Sequence, residues 1–195
     1  MPRRPRVLTD SGIYHVITRG NNKQVLFRAR DDFETYLRLL QLMKSEYRFH
    51  LYHYCLMSNH AHLLMRFFDT EGFQKVMQRV NLTYAKRYSR LYDYSGHVFQ
   101  DRFKSLPIED ESYLLECGRY IERNSLKAGV VKDLKDYPWS SYSFYAYGKS
   151  NSLLNENPLY LDLGSSLEER QLNYRSYVLE DRPYEKLIAE GLLKS

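Results

Sequence analysis

Two histidines separated by a single residue are the side chains in this sequence best suited to bind a metal ion. His60 and His62 lie within an apolar run that spans residues 49–68. Side chains of a strand alternate between faces, so the two imidazoles would lie side by side on one face. Two unpartnered imidazoles would be costly to bury among apolar side chains. The pair therefore predicts half of a metal site, for a transition metal or for magnesium with added oxygen ligands and water.

The charge of the chain favours an acidic partner such as nucleic acid. The formal net charge is +5, and residues 1–150 hold 24 Lys and Arg against 16 Asp and Glu. Three arginines, Arg3, Arg4 and Arg6, precede the first predicted strand. They would either follow a phosphate backbone or form a solvated terminus.

Further basic side chains are predicted to contact phosphates. Arg19 lies in a predicted turn, and Arg102 and Lys104 alternate along a predicted strand, so they share a face. The helix predicted over residues 72–92 also has a basic face, for which phosphate contact and simple solvation are equally good explanations. That face consists of Lys75, Arg79, Lys86, Arg87 and Arg90.

Cysteine content and hydropathy indicate a cytoplasmic protein that does not enter a membrane. Cys55 and Cys117 have no metal-binding or redox spacing, and no secretory signal precedes them. Reduced thiols in the cytoplasm are therefore expected. The sequence contains no run of about 18 apolar residues, so no membrane span is predicted.

The order of predicted strands and helices indicates a ferredoxin-like α+β fold. Strands are predicted at 13–18, 49–57, 61–68 and up to about 108, with helices at 31–47 and 72–92 between them. This order predicts an antiparallel sheet with helices on one face and the other face free for a substrate. An added helix over 111–128 would carry Tyr120 and Asn124 on one side. Residues 1–150 would form the main domain, and 151–195 a short helical extension of unknown role.

Five segments together resemble the single-tyrosine HUH transposases, in particular the IS200-like branch that includes the REP-associated tyrosine transposases. The segments occur in the order found in that family and cover about residues 1–150. They are YHVITRGN at 14–21, MSNHAH at 57–62, GHVFQDRFK at 96–104, YIERNSLKAG at 120–129 and YPWSS at 137–141. Many relatives have Asn-Pro where this chain has Asn124-Ser125, a difference that spares the helix a proline.

The resemblance implies a mechanism and a set of site residues. Tyr120 would be the nucleophile, and His60, His62 and Asn124 would hold a divalent metal ion, Mg²⁺ or Mn²⁺. The implied reaction is DNA transposition, in which single-stranded DNA is cleaved beside a hairpin through a 5′-phosphotyrosine intermediate and rejoined by a 3′-hydroxyl. Because a phenol with a pKa near 10 is a poor nucleophile, a metal that neutralises developing charge would help. Relatives include monomers and homodimers that exchange the tyrosine helix.

Two alternatives remain open from the sequence. The chain could be a domesticated, non-catalytic module that binds nucleic-acid hairpins, although His60, His62, Asn124 and Tyr120 are all present. It could instead be a zinc hydrolase that uses water, although the sequence offers no His-Glu-x-x-His segment and no third close ligand. A covalent protein–DNA adduct would distinguish the transposase from both.

Overall fold

The computed structural model describes residues 8–110 and 113–180 and has a four-stranded antiparallel sheet at its centre. The strands are β1 (Ile13–Arg19), β2 (Phe49–Met57), β3 (His60–Phe67) and β4 (Lys104–Pro107). Their order across the sheet is β2-β3-β1-β4, with β3 and β1 in the middle. This order and the antiparallel pairing confirm the predicted α+β sheet.

Two long helices cover one face of the sheet. The helix α1 (Arg30–Glu46) joins β1 to β2, and α2 (Thr70–Leu91) joins β3 to β4. Both are amphipathic, and their apolar stripes form the largest core with the strands. The predicted stripe residues that are buried there are Phe33, Tyr36, Leu40, Met43, Phe73, Val76, Met77, Val80, Tyr84 and Tyr88.

The opposite face of the sheet is also covered, so the expectation of a free face is wrong. The helix α3 (Leu114–Glu122) packs Leu114, Cys117 and Ile121 against the sheet in a second core. Burial of these apolar side chains stabilises the covered arrangement. In the part of the chain that the structure describes, His60 and His62 line a cavity together with Tyr120 of α3.

A bulge in β2 changes which side chains face α3. The register between β2 and β3 shifts between Leu51 and His53, so strict alternation along β2 is broken. Tyr52 joins the core beneath α3, and His53 lies against Gly118 of the same helix. The bulge thus places a histidine under the helix that carries Tyr120.

The rest of the chain packs around α3. Short helices follow it at α4 (Asn124–Lys127) and α5 (Tyr142–Tyr147), and a 3₁₀ helix at Pro158–Leu163 precedes α6 (Leu167–Leu179). The predicted single helix over 111–128 is thus two helical segments, because Arg123 interrupts it. Tyr160, Tyr174 and Val178 form a third core with Leu115 and Tyr145. The division at residue 150 remains a prediction.

Among the residues that the structure describes, both cysteines are buried free thiols and no helix is long and apolar enough to cross a membrane.

We predict that Gly118→Ala destabilises the fold because α3 lies too close to β2 for a methyl group. A Cβ at Gly118 would lie 2.5 Å from Nε2 of His53, whose ring is held by two hydrogen bonds. Overpacking of this kind costs about 1–3 kcal/mol, which exceeds the helix propensity that alanine gains over glycine, about 1 kcal/mol. Chemical denaturation should show the loss. Thr83→Ala on the exposed side of α2 serves as control, and equal stability of Gly118→Ala and wild type would show that the His53 ring can move.

Candidate functional site

A cavity of about 530 Å³ at the end of the sheet gathers the site residues predicted from the sequence. Strand β1 contributes Arg19, β3 begins with His60 and His62, and the helical segments α3 and α4 contribute Tyr120 and Asn124. Arg102 and Lys104 enter from the segment before and at the start of β4. Ile17, Gln100 and Asp101 complete the lining. Arg3, Arg4 and Arg6 lie outside the described residues.

Hydrogen bonding fixes the orientation of His60. Its Nδ1 lies 2.6 Å from Oδ1 of Asn59, and Nδ2 of Asn59 donates to the carbonyl oxygen of Lys23 at 3.3 Å. An amide oxygen only accepts hydrogen bonds, so Nδ1 of the neutral His60 carries the proton. The lone pair of Nε2 is then available to a ligand in the cavity.

His62 is held by a third histidine that the sequence analysis did not single out. Nε2 of His15 lies 2.9 Å from Nδ1 of His62, and both rings are buried. If His62 presents its Nε2 lone pair to the cavity, its Nδ1 donates this hydrogen bond and His15 carries its own proton on Nδ1. That Nδ1 has no hydrogen-bond partner within the described part of the chain. Nδ1 of His15 is therefore a buried polar atom without a hydrogen-bond partner in the described structure.

All three imidazoles are held in the neutral form by their surroundings. Burial lowers the pKa of His60 to about 4, with repulsion from Arg19 adding to the effect. Burial lowers the pKa of His15 to about 3 and lowers that of His62 well below its usual value. Desolvation disfavours the charged imidazolium, and a neutral imidazole is the form that binds metals.

Tyr120 lies against the histidines, on the α3 side of the cavity. Its ring centroid is 6.1 Å from that of His62 and 5.9 Å from that of His15, both in edge-to-face geometry. Nζ of Lys127 lies 5.0 Å from the centroid of the Tyr120 ring. A cation over the face of an aromatic ring is attracted by the ring's electrons, so this contact helps to hold the Tyr120 ring in place.

The side chain of Asn124 is oriented by the helix that precedes it. Nδ2 of Asn124 donates to the carbonyl oxygens of Tyr120 and Ile121 at 2.9 and 3.0 Å. These two bonds assign the amide nitrogen, so Oδ1 is the atom left to accept or coordinate a ligand. The residue thus offers an oxygen one helical turn after Tyr120.

A buried carboxylate anchors the helix that carries Tyr120. Oε1 of Glu122 lies 2.9 Å from Nδ1 of His53 and accepts a hydrogen bond from Ser141 at 2.5 Å. Its Oε2 accepts from the hydroxyl of Tyr174 on α6 at 2.7 Å. Nδ2 of Asn157 donates to Nε2 of His53 at 3.0 Å, so His53 donates to the carboxylate. Strand β2, α3 and the segment after residue 150 meet at this one group.

Two arginines flanking Tyr120 hold the last turn of α6. Arg119 is fully buried, and its Nε donates to the carbonyl oxygen of Tyr177 at 2.9 Å. Arg123 donates to the carbonyl oxygens of Val178 and Glu180 at 2.8 and 3.2 Å. Cations at the C-terminal end of a helix satisfy carbonyls that have no intrahelical partner. The extension therefore packs directly on the Tyr120 helix of its own chain.

The candidate metal ligands include two histidines, His60 and His62. Within the described chain, no group of three His, Cys, Asp or Glu side chains is arranged to hold a metal ion. Asn124 lines the same cavity and offers an amide oxygen as a third donor. This donor set of two imidazoles and one amide oxygen suits manganese or magnesium with water completing the shell.

Sequence reasoning missed several residues that the structure places at or beside the cavity. His15 could have been suspected, because it is a histidine in the middle of an apolar strand. Its partner could not, because that depends on the pairing of β1 with β3, in which Ile17 lies opposite His62. Gln100 and Asp101 reach the site through the loop before β4, and Lys127 lies beside it at the end of α4.

Comparisons with known proteins agree with this architecture. Residues 9–124 match the family model described as "Transposase IS200 like". A solved structure described as "Structure of the REP associates tyrosine transposase bound to a REP hairpin" superposes with a TM-score of 0.62 at 16% sequence identity. The match covers 80% of this chain and 98% of that chain, and it shows that the two share a fold. No curated protein matches the sequence.

We predict that Tyr174→Phe lowers the free energy of unfolding by about 1–3 kcal/mol, because Glu122 loses a buried hydrogen-bond donor. Chemical denaturation measures the loss. Tyr94→Phe is the matched control, since the exposed hydroxyl of Tyr94 makes a long bond of 3.4 Å to the carbonyl oxygen of His97. A loss no larger than that of the control would show that the other donors satisfy the carboxylate without Tyr174.

Proposed function

Because the chain belongs to the IS200-like transposase family, we propose that it cleaves and rejoins single-stranded DNA beside hairpins, with Tyr120 as the nucleophile. The observation that carries the proposal is the single cavity shared by Tyr120, His60, His62 and Asn124. One chain supplies all four side chains. This arrangement supports attack by the tyrosine of the same chain, and a homodimer remains a prediction from the resemblance.

The proposed reaction is a transesterification at phosphorus. The phenolic oxygen of Tyr120 bonds to the phosphorus, the bond from phosphorus to the 3′ oxygen breaks, and the proton lost by the phenol balances the one gained by the 3′-hydroxyl. A 5′-phosphotyrosine link results. Attack by a 3′-hydroxyl on that link reverses the exchange and rejoins DNA, so no external energy source is needed.

The residues of the cavity also fit a divalent metal ion. His60 and His62 would hold it through Nε2, and Asn124 through Oδ1. The hydrogen bonds to Asn59, His15 and the α3 carbonyls orient these three donors. A bound Mg²⁺ or Mn²⁺ would supply charge neutralisation at the scissile phosphate. The donor set itself supports this fit, because neutral imidazoles are the form that binds metals and burial holds His60 and His62 neutral.

Arg19, Arg102 and Lys104 are proposed to hold the phosphates next to the scissile bond. All three are exposed, line the cavity and have no acidic partner in the described structure. Phosphate contacts of this kind position a strand without reading its sequence. A hairpin as the recognised element follows from the resemblance and from the complex reported for the solved transposase.

We predict that wild-type protein forms a covalent adduct with single-stranded hairpin DNA and that Tyr120→Phe does not. The phenylalanine keeps the ring and removes the attacking oxygen. Labelled DNA is incubated with Mg²⁺ or Mn²⁺ and analysed on a denaturing gel, with a chelator-treated sample alongside. Tyr113→Phe is the control, because Tyr113 lies just before α3 and outside the cavity.

An adduct that survives in Tyr120→Phe would assign the nucleophile to another residue. Tight DNA binding without any adduct, across several hairpins, would favour the alternative of a non-catalytic hairpin-binding module.

We predict that His15→Phe weakens Mn²⁺ binding about 10- to 100-fold while leaving hairpin binding unchanged. The phenyl ring fills the same space but cannot accept the hydrogen bond from Nδ1 of His62, and loss of such a supporting partner typically lowers metal affinity by this factor. Calorimetric titration with Mn²⁺ measures the effect. His50→Phe, at a half-buried position outside the cavity, is the control. Equal Mn²⁺ affinity in His15→Phe and wild type would mean that His15 only fills space.

A further inference from the structure

A second and larger cavity lies along α2, next to the candidate site. This groove has a volume of about 1170 Å³ and runs between one side of α2 and the loop at residues 96–103. Gln100, Asp101 and Arg102 line both the groove and the site cavity. The groove therefore adjoins the cavity that Tyr120 lines, and its volume exceeds the roughly 300–1,000 Å³ of pockets for small ligands.

The basic residues on the two sides of α2 differ in whether they form salt bridges. Three of them are neutralised by acidic side chains: Lys75 by Glu71 at 2.7 Å, Arg79 by Glu46, and Arg87 by Asp31 and Asp32. The other two, Lys86 and Arg90, line the groove and form no salt bridge within the described residues. The unneutralised charge of α2 therefore lies on the groove side alone.

A row of basic side chains, which we call the positive track, leads from α2 towards Tyr120. Lys86 and Arg90 are one helical turn apart on α2. Arg102 follows at the junction of the two cavities, and Lys104 and Arg19 lie in the site itself. Asp101 at the junction accepts a hydrogen bond from the backbone nitrogen of Arg102 at 2.7 Å, so its carboxylate is engaged with its own loop. The track suits a chain of phosphates that ends at the nucleophile.

The remaining lining of the groove suits bases rather than a duplex backbone. Gln78 offers its amide group, Asn81 offers Nδ2 because its Oδ1 accepts a hydrogen bond from Tyr36 at 3.0 Å, and Leu82 and Phe99 offer apolar surface. Amides pair with base edges, and apolar or aromatic groups pack on base faces, which are exposed only when the strand is unpaired. The positive track together with such a lining is typical of sites that bind single strands.

We propose that the groove along α2 binds the unpaired DNA strand that leads from the hairpin to the scissile phosphate. This inference rests on the proposed function, which it extends by assigning the path of the substrate strand. Lys86, Arg90 and Arg102 contact its phosphates. Gln78, Asn81 and Phe99 contact its bases.

The test compares two double variants that remove the same charge from the same helix. Lys86→Ala/Arg90→Ala changes the groove, and Lys75→Ala/Arg79→Ala changes the neutralised side. Both are made in the Tyr120→Phe background, so binding is measured without cleavage. The probes are one DNA hairpin with an unpaired extension of about ten nucleotides, within the range of known single-strand sites, and the same hairpin without it.

We predict that the groove variant binds the extended hairpin about tenfold more weakly at low salt, while its affinity for the bare hairpin is unchanged. The slope of log affinity against log salt concentration should fall by about 1.4 for two lost single-strand phosphate contacts. The control variant should behave as the parent on both probes, because its charges are already neutralised.

Three outcomes would overturn the inference: unchanged affinity of the groove variant, an equal loss on both probes, or an equal loss in the two double variants. The proposed cleavage is judged separately by the covalent adduct of the otherwise wild-type protein. Groove-dependent binding without any adduct would therefore refute the cleavage and leave the strand path standing. An adduct together with groove-independent binding would refute the strand path and leave the cleavage standing.

Discussion

The buried carboxylate of Glu122 is the group on which the arrangement of the site depends. A carboxylate removed from water must be satisfied by hydrogen bonds, and here the donors come from β2, from the segment before α5 and from α6. Any displacement of α3 would leave this group unpaired at high cost. The position of Tyr120, two residues earlier on the same helix, is therefore tied to the sheet that carries the histidines. Pre-organisation of this kind holds reacting groups in place before substrate arrives.

The same logic extends to the side chains that face the cavity. His60, His62 and Asn124 each use one polar atom in a hydrogen bond to the protein and keep the other for a ligand. The bonds to Asn59 and to the α3 carbonyls assign the donor atoms of His60 and Asn124, and burial keeps the imidazoles neutral. The hydrogen-bonded neighbours thus orient two imidazoles and one amide oxygen around the cavity.

The basic residues on the surface differ in whether an acidic side chain neutralises them. Basic residues of α2 that lie away from the groove are paired with acids, whereas those along the groove and in the cavity have no acidic partner within the described chain. Unpaired cations in a concave surface raise the local potential and attract a polyanion. A net charge of +5 alone could not have distinguished these two groups.

The sequence by itself determined the order of the elements and identified His60, His62, Tyr120 and Asn124, which the structure brings to one cavity. Periodicity identified the strands and both long helices, because alternation and helical spacing are local properties. The pair His60 and His62 and the spacing from Tyr120 to Asn124 are also local, so both were recognisable. Short-range patterns therefore sufficed for the fold class and for the candidate ligands.

Only the tertiary structure decided which distant residues meet. The bulge in β2, the coverage of the second sheet face by α3, and the contact of His15 with His62 depend on strand register and on packing between residues far apart in the chain. A one-residue change in register would reverse the faces, and no local pattern specifies it fully. The same holds for α6, whose carbonyls meet arginines of α3 more than fifty residues away. Long-range pairing, rather than residue type, decided how the parts form one site.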